Sequence, residues 1–266
     1  MMNLGKGNLS GGQKLVVAML FVGPLLVMAG KWSLLPTAEF FTRAFSLTHL
    51  SAEMQGRVVY VLSVPFGAVL VVFFRLFLGI RLMGPFRSIL LAVAFQFTGI
   101  VSGLIFLSAA ITIVVLIRPL VKAFRLPYIA RVSVILSTVA LIMLAALLAG
   151  NGLGSESLSR MAYFPIVVLC LLGEGFAKTL TREGAPSALW RIVMTAAVAV
   201  LIAFLFERDG FRNIFLRCPE LLIAEVGCII VIAEYLDLRL MTRFNPIVAK
   251  RSSRKKNRIR SPKPAE

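Results

Sequence analysis

Apolar residues in this chain fall in long uninterrupted blocks separated by short polar or basic stretches. The first block, 15–30, follows Lys6 and Lys14. As a helix its sixteen residues reach about 24 Å, short of a bilayer core of about 30 Å. Continuation through 31–35 would supply the missing length. The block reads as a signal peptide or as an uncleaved anchor, and Val27-Met28-Ala29 is a poor enough cleavage site to favour the anchor. After a weakly charged connector, 31–57, comes a second spanning block, 58–80, with Arg75 near its end, where it can snorkel. Segment 88–99 is apolar but only twelve residues long, about 18 Å as a helix, and breaks at Gln96, Thr98 and Gly99. A fuller block, 100–117, follows. The spacing predicts a span at 132–150, a Gly/Ser-rich loop at 151–161 and a shortish segment at 162–177, broken at 178–186. A return helix at 187–206, a mixed-charge loop at 207–218 and a last span at 219–238 complete the series. Pro219 suits the first position of that helix.

Composition agrees with a membrane chain. Of 266 residues 59% are hydrophobic and 15% charged, with mean hydropathy +0.90. A soluble domain is about half apolar and a quarter charged. The net charge of +17 would suggest nucleic acid in a soluble protein. Here the basic residues sit at block ends and in the tail. With the N-terminus inside, the inner pieces 1–14, 81–87, 118–131 and 239–266 hold 2, 2, 4 and 10 Lys or Arg against one acid, Glu266. The outer pieces 31–57, 151–161 and 207–218 hold 3, 1 and 3 against 2, 1 and 2 acids. That asymmetry puts both termini in the cytoplasm.

Two segments share a rhythm. Met83-Gly84-Pro85-Phe86 opens a stretch that breaks at Phe97-Thr98-Gly99, and Tyr163-Phe164-Pro165 opens one that breaks at Arg182-Glu183-Gly184. A longer helix follows each. The expected fold is an all-α polytopic membrane protein of about seven to eight hydrophobic helices. Two short broken segments, hairpin or re-entrant, form an inverted repeat of the kind seen in secondary transporters. The expected organisation is an anchor helix at 1–30, a connector at 31–57, a seven-helix domain at 58–244 and a basic tail at 245–266.

The run from Val72 through Phe74-Arg75-Leu76-Phe77-Leu78-Gly79-Ile80-Arg81 to Met83-Gly84-Pro85-Phe86 resembles a bacterial seven-helix membrane domain usually joined to an inactive transglutaminase-like domain. So do Leu91-Ala92-Val93-Ala94-Phe95 with Thr98-Gly99, and Gly103-Leu104. Phe164-Pro165-Ile166-Val167, Glu174, Phe176, Glu183-Gly184, Pro219-Glu220-Leu221-Leu222, Tyr235, Arg239 and Arg243-Phe244 extend the likeness from about residue 58 to 244. More distantly, the hairpins resemble the small membrane subunit of poly-gamma-glutamate synthesis, the CapC type. The chain departs from the pattern in three places. Only 31–57 stands where the family has its extracytoplasmic domain. Gly175 follows Glu174 where an Arg is frequent. Ala233-Glu234-Tyr235 stands where Gly-Arg-Tyr is frequent. The resemblance implies a non-catalytic membrane partner of cytoplasmic ATP-grasp ligases, which join amino acids or peptides through acyl phosphates.

Ionisable groups inside a membrane cost several kcal/mol unless paired or hydrated, which makes them the best functional pointers. Glu174 and Lys178 stand one helical turn apart and can pair, as a structural bridge or as part of a site. Lys178, Arg182 and Glu183 fall at a tip expected near the cytoplasm, where they can meet an anionic substrate or a partner. Arg191 reads as a snorkelling residue, Glu220 as a carboxylate stabilised by a helix N-terminus, and Glu225 as paired across helices or protonated. Gln96 and Thr98 mark a break whose backbone needs partners in protein or a wet cavity. Arg254, Lys255, Lys256, Arg258 and Arg260 suit anionic lipid first and an acidic partner second. Nucleic acid is disfavoured, since no aromatic residue is interleaved among them for stacking.

Cys170, Cys218, Cys228 and the single His49 match no metal or redox spacing, so neither metal nor cofactor is expected. No catalytic constellation is present in the sequence. The expected function is a non-enzymatic subunit of a ligase-linked pathway that makes or exports a peptide-like product. The alternative is an autonomous secondary transporter of a small anion.

Overall fold

The computed structural model describes residues 10–31, 40, 46–123 and 163–235, with scattered helical positions between 130 and 145. The span expected at 132–150, the loop at 151–161 and the basic tail therefore lie wholly or mostly outside the described residues. The regular elements among the described residues are all helices, without strands. Helix α1 is Gly11–Gly30, α2 is Ala52–Val72 continued by a π-helical turn Phe73–Phe77, α3 is Pro85–Thr98 and α4 is Ile100–Ala123. Helix α5 is Tyr163–Glu183, α6 is Ala185–Glu207, α7 is Asp209–Arg217 and α8 is Leu221–Tyr235. Among the described residues, five stretches are long and apolar enough to cross a membrane: Gly11–Gly30, Ala52–Phe77, Ile100–Ile117, Phe164–Glu183 and Ala185–Glu207.

Several boundaries differ from expectation, each for a local reason. Helix α1 gains its length at the N-terminal side, where Ser10 and Gln13 form a capping box, and ends at Lys31. Helix α2 starts at Ala52 because Ser51 accepts the Met54 N–H (3.4 Å) and caps it. The expected mixed-charge loop at 207–218 is largely helix α7, whose Phe211 and Phe215 pack edge-on or tilted against Phe66 and Phe206 with ring centroids 5.1–5.6 Å apart. Helix α8 begins at Leu221, after a turn that holds Pro219 and Glu220, so Pro219 is not its first residue. The expected break at 178–186 shrinks to Gly184. Helix α5 runs unbroken through Lys178 to Glu183, and its 21 residues reach about 31 Å, a full span.

The core lies where α3, the shortest apolar helix, is sandwiched by α2, α5 and α6. Phe95, Phe176, Leu91 and Ile202 are fully buried there. Helix α4 packs on α5 and on α3, so each helix–glycine–helix unit, α3–Gly99–α4 and α5–Gly184–α6, interleaves with the other. Close approach is set by small residues, the usual device when lipid offers no hydrophobic drive between helices. A Cβ at Gly103 would collide with the ring of Phe95. One at Gly227 would come within 2.9 Å of Phe21 and hold α8 off α1.

At one end of the bundle Lys31, Leu47 and the start of α8 meet. Lys31 Nζ lies 2.8 Å from Glu220 Oε1 and donates to the Arg217 carbonyl at 2.6 Å. The Leu47 N–H donates to the Leu216 carbonyl at 2.9 Å. Glu220, read as a helix-dipole carboxylate, thus has a cation from another helix. The two side chains are 10% and 4% exposed, and stripping a partner from so buried a pair costs about 3–5 kcal/mol. Glu220→Leu is expected to lower the unfolding midpoint in detergent strongly. The double variant Lys31→Met with Glu220→Leu is expected to recover most of that loss. Equal losses in the single and double variants would show that the pair does not couple α1 to α8.

Candidate functional site

The polar side chains named by the sequence separate into distinct places. The first is the Gly184 turn. Gly184 has φ 90°, a region that L side chains rarely adopt, so α5 can stop and α6 restart within one residue. Pro186 follows in the first turn of α6, where its missing N–H is no loss. Arg191 Nη2 donates to both Glu183 oxygens at 2.7 Å, and the Ser187 hydroxyl donates to Oε2 at 2.8 Å. These charge-assisted bonds clamp the end of α5 to the start of α6. The snorkelling expected of Arg191 is corrected: the guanidinium turns back to a carboxylate eight residues earlier. Lys178 and Arg182 stay exposed on the last turns of α5.

Midway along the bundle lies a second group. The Met83 N–H donates to Thr195 Oγ1 at 3.0 Å. Thr195 stands ten residues into α6, about 15 Å from the Gly184 turn. The N-terminus of α3 therefore lies beside the middle of α6, and the expected inner loop 81–87 reaches into the bundle, with Leu82 buried. Arg87, on the first turn of α3, places its Nη2 4.0 Å from Glu174 Oε2. The pairing of Glu174 with Lys178 is thus corrected to one with Arg87, across helices. The Arg87 guanidinium lies in the space that a Cβ on residue 175 would fill. The arginine of another helix thus lies over the glycine that follows Glu174. Arg87 faces the Glu174 carboxylate from another helix, the kind of pairing that an ionisable group between membrane helices requires.

The remaining candidates are elsewhere. Thr98 Oγ1 donates back to the Ala94 carbonyl at 2.9 Å and so satisfies its own helix end. Gln96 is at the Gly99 end, opposite the Gly184 turn, with both amide atoms buried and unpaired. Glu225 is buried on α8 with neither carboxylate oxygen hydrogen-bonded. No trio of His, Cys, Asp or Glu able to hold a metal is found among the described residues. The structure brings Glu183 to Arg191, but does not gather Glu174, Gln96 and Glu225 into one site. Arg87 and Thr195 were missed by sequence reasoning. The visible signal for Arg87 was its place just after Gly84-Pro85-Phe86, at a helix start.

Long apolar helices with ion pairs tucked between them define a polytopic helical membrane protein. The chain belongs to the family of seven transmembrane helices usually fused to an inactive transglutaminase, whose sequence model matches residues 26–248. That match begins within α1, well before the resemblance legible from residue 58. No curated protein and no solved structure matches the chain significantly.

The Arg87–Gly175 contact gives a sharp test. Gly175→Ala is expected to displace the guanidinium and destabilise the protein by about 1–3 kcal/mol. In an Arg87→Ala background the same change is expected to cost almost nothing, read as unfolding midpoints in a double-mutant cycle. Additive effects would place the guanidinium elsewhere.

Proposed function

We infer that this chain is a non-catalytic inner-membrane subunit that serves a cytoplasmic ATP-grasp ligase in making or exporting a peptide-like product, similar in kind to poly-gamma-glutamate. The observation that carries the reading is the form of the Gly184 turn. Lys178 and Arg182 are exposed beside a turn stiffened by Glu183, Ser187 and Arg191. A rigid basic tip of this kind suits docking to an acidic protein surface, because its geometry is set before the partner arrives. The family match supports a membrane role beside a non-catalytic domain, and the basic bias of the expected inner loops supports cytoplasmic termini. The tail, with Arg254, Lys255, Lys256, Arg258 and Arg260, adds attraction to anionic lipid near the same face.

The rival reading is an autonomous transporter of a small anion. It draws on a different observation: the N-terminus of α3 and Arg87 lie at mid-bundle, as broken helices do in secondary transporters.

Affinity purification from detergent-solubilised native membranes, followed by mass spectrometry, separates the two. The expected result is recovery of an ATP-grasp ligase with the wild type and at least about tenfold less with Lys178→Glu plus Arg182→Glu, at equal abundance of the membrane protein. A preparation free of any such ligase would overturn the subunit reading in favour of the transporter.

A further inference from the structure

The Gly99 end of the bundle holds a polar cavity that the ligase-linked reading does not use. Its volume is about 220 Å³ and it is partly open. Tyr60 of α2, Gln96 of α3, Gly99 and Ile100 at the break, Glu207 of α6 and Arg212 of α7 line it, with apolar side chains between them. Even an apolar cavity of roughly 150 Å³ accepts a benzene-sized molecule, so this one has room for a small solute.

Three features describe what would fit. First, both amide atoms of Gln96 are buried without a hydrogen-bond partner, and so is Arg212 Nε. Buried polar atoms in native proteins are nearly always satisfied by protein, water or ligand, so these two cavity-lining residues carry donor and acceptor groups that the protein itself does not pair. Second, Glu207 and Arg212 put opposite charges on the same cavity, yet no ion pair joins them. Third, the break at Gly99 sets the carbonyl end of α3 beside the amide end of α4. Partial negative and partial positive backbone charge therefore stand side by side in one wall. A simple anion would satisfy Arg212 and be repelled by Glu207. A simple cation would meet the reverse.

We propose that this cavity binds a free α-amino acid, as a zwitterion whose carboxylate faces Arg212 and whose ammonium faces Glu207. The Gln96 amide bridges the two groups, donating to the carboxylate and accepting from the ammonium. The proposal stands apart from the ligase-linked reading, because binding is read on this chain alone.

The test is isothermal titration calorimetry on the full chain in lipid nanodiscs, with L-alanine, L-serine and L-glutamate as probes. Saturable binding of at least one is expected. N-acetyl-L-alanine, which lacks the ammonium, and L-alaninamide, which lacks the carboxylate, are expected to bind at least about tenfold more weakly than L-alanine, or not at all. These half-ligands test the assignment without altering the protein. Arg212→Gln, Glu207→Gln and Gln96→Leu are each expected to weaken the best ligand by at least about tenfold with helical circular dichroism unchanged. Failure of all three amino acids to bind the wild type at millimolar concentration would overturn the proposal. So would half-ligands that bind as well as the parent, or folded variants that bind as well as the wild type.

Discussion

An amide or carbonyl released from a helix inside a membrane has no water to turn to. Each one left unpaired costs several kcal/mol. The architecture depends on how this chain meets that condition at its breaks. Gly84, Gly99 and Gly184 all have positive φ and all interrupt or start a helix. At each, the glycine carbonyl accepts the first bonds of the helix that follows. The Ser88 hydroxyl donates to the Gly84 carbonyl at 3.1 Å, Gly103 N–H to the Gly99 carbonyl at 2.9 Å, and Ala188 N–H to the Gly184 carbonyl at 3.2 Å. The Met83 amide, outside any helix, reaches Thr195, whose hydroxyl in turn donates to the Arg191 carbonyl at 2.7 Å. Helix α6 thus answers one amide just before α3, the helix that packs along it.

The same close packing governs which side chains can carry charge. Where two helices touch through glycine, a long side chain of one can lie across the backbone of the other. Arg87 does this over Gly175, and it thereby reaches Glu174 from a neighbouring helix. Lys31, at the end of α1, likewise reaches Glu220 beside the start of α8. In both cases the ion pair joins elements far apart in sequence. Each charge is compensated by tertiary structure rather than by its own helix.

That distinction explains what the sequence made legible. Apolar blocks report local burial in lipid, so the helices at 100–117 and 187–206 and the break at Gly99 were readable from hydropathy and glycine alone. Hydropathy misread 178–183 as a break, because Lys178, Arg182 and Glu183 lower the average. The backbone does not follow that average. Exposed cations near a helix C-terminus are favourable there, and Glu183 has its own partner in Arg191. Segment 207–218 was misread in the same way: five charges hid the i, i+4 pair Phe211 and Phe215 that makes α7 amphipathic. Ion pairs were legible only at helical spacing. Glu174–Lys178 satisfied that rule and does not form, whereas Glu174–Arg87 lies outside any such rule. The charged residues could therefore be named from the sequence, but not the side chains that pair with them.

The two ends of α6 differ in a way that bears on where a solute can act. At Gly184, Glu183 is already held by Arg191 and Ser187. Removing a partner from such a half-buried pair leaves an uncompensated charge, so the pair resists opening for a ligand. At Gly99, by contrast, Gln96 and Arg212 Nε are desolvated without being answered. Desolvation there has already been imposed by folding, so a ligand that supplies the missing partners gains their hydrogen bonds without first having to strip water from those atoms. One end of the bundle is thus set for stiffness and surface contact, and the other for taking in a small polar molecule.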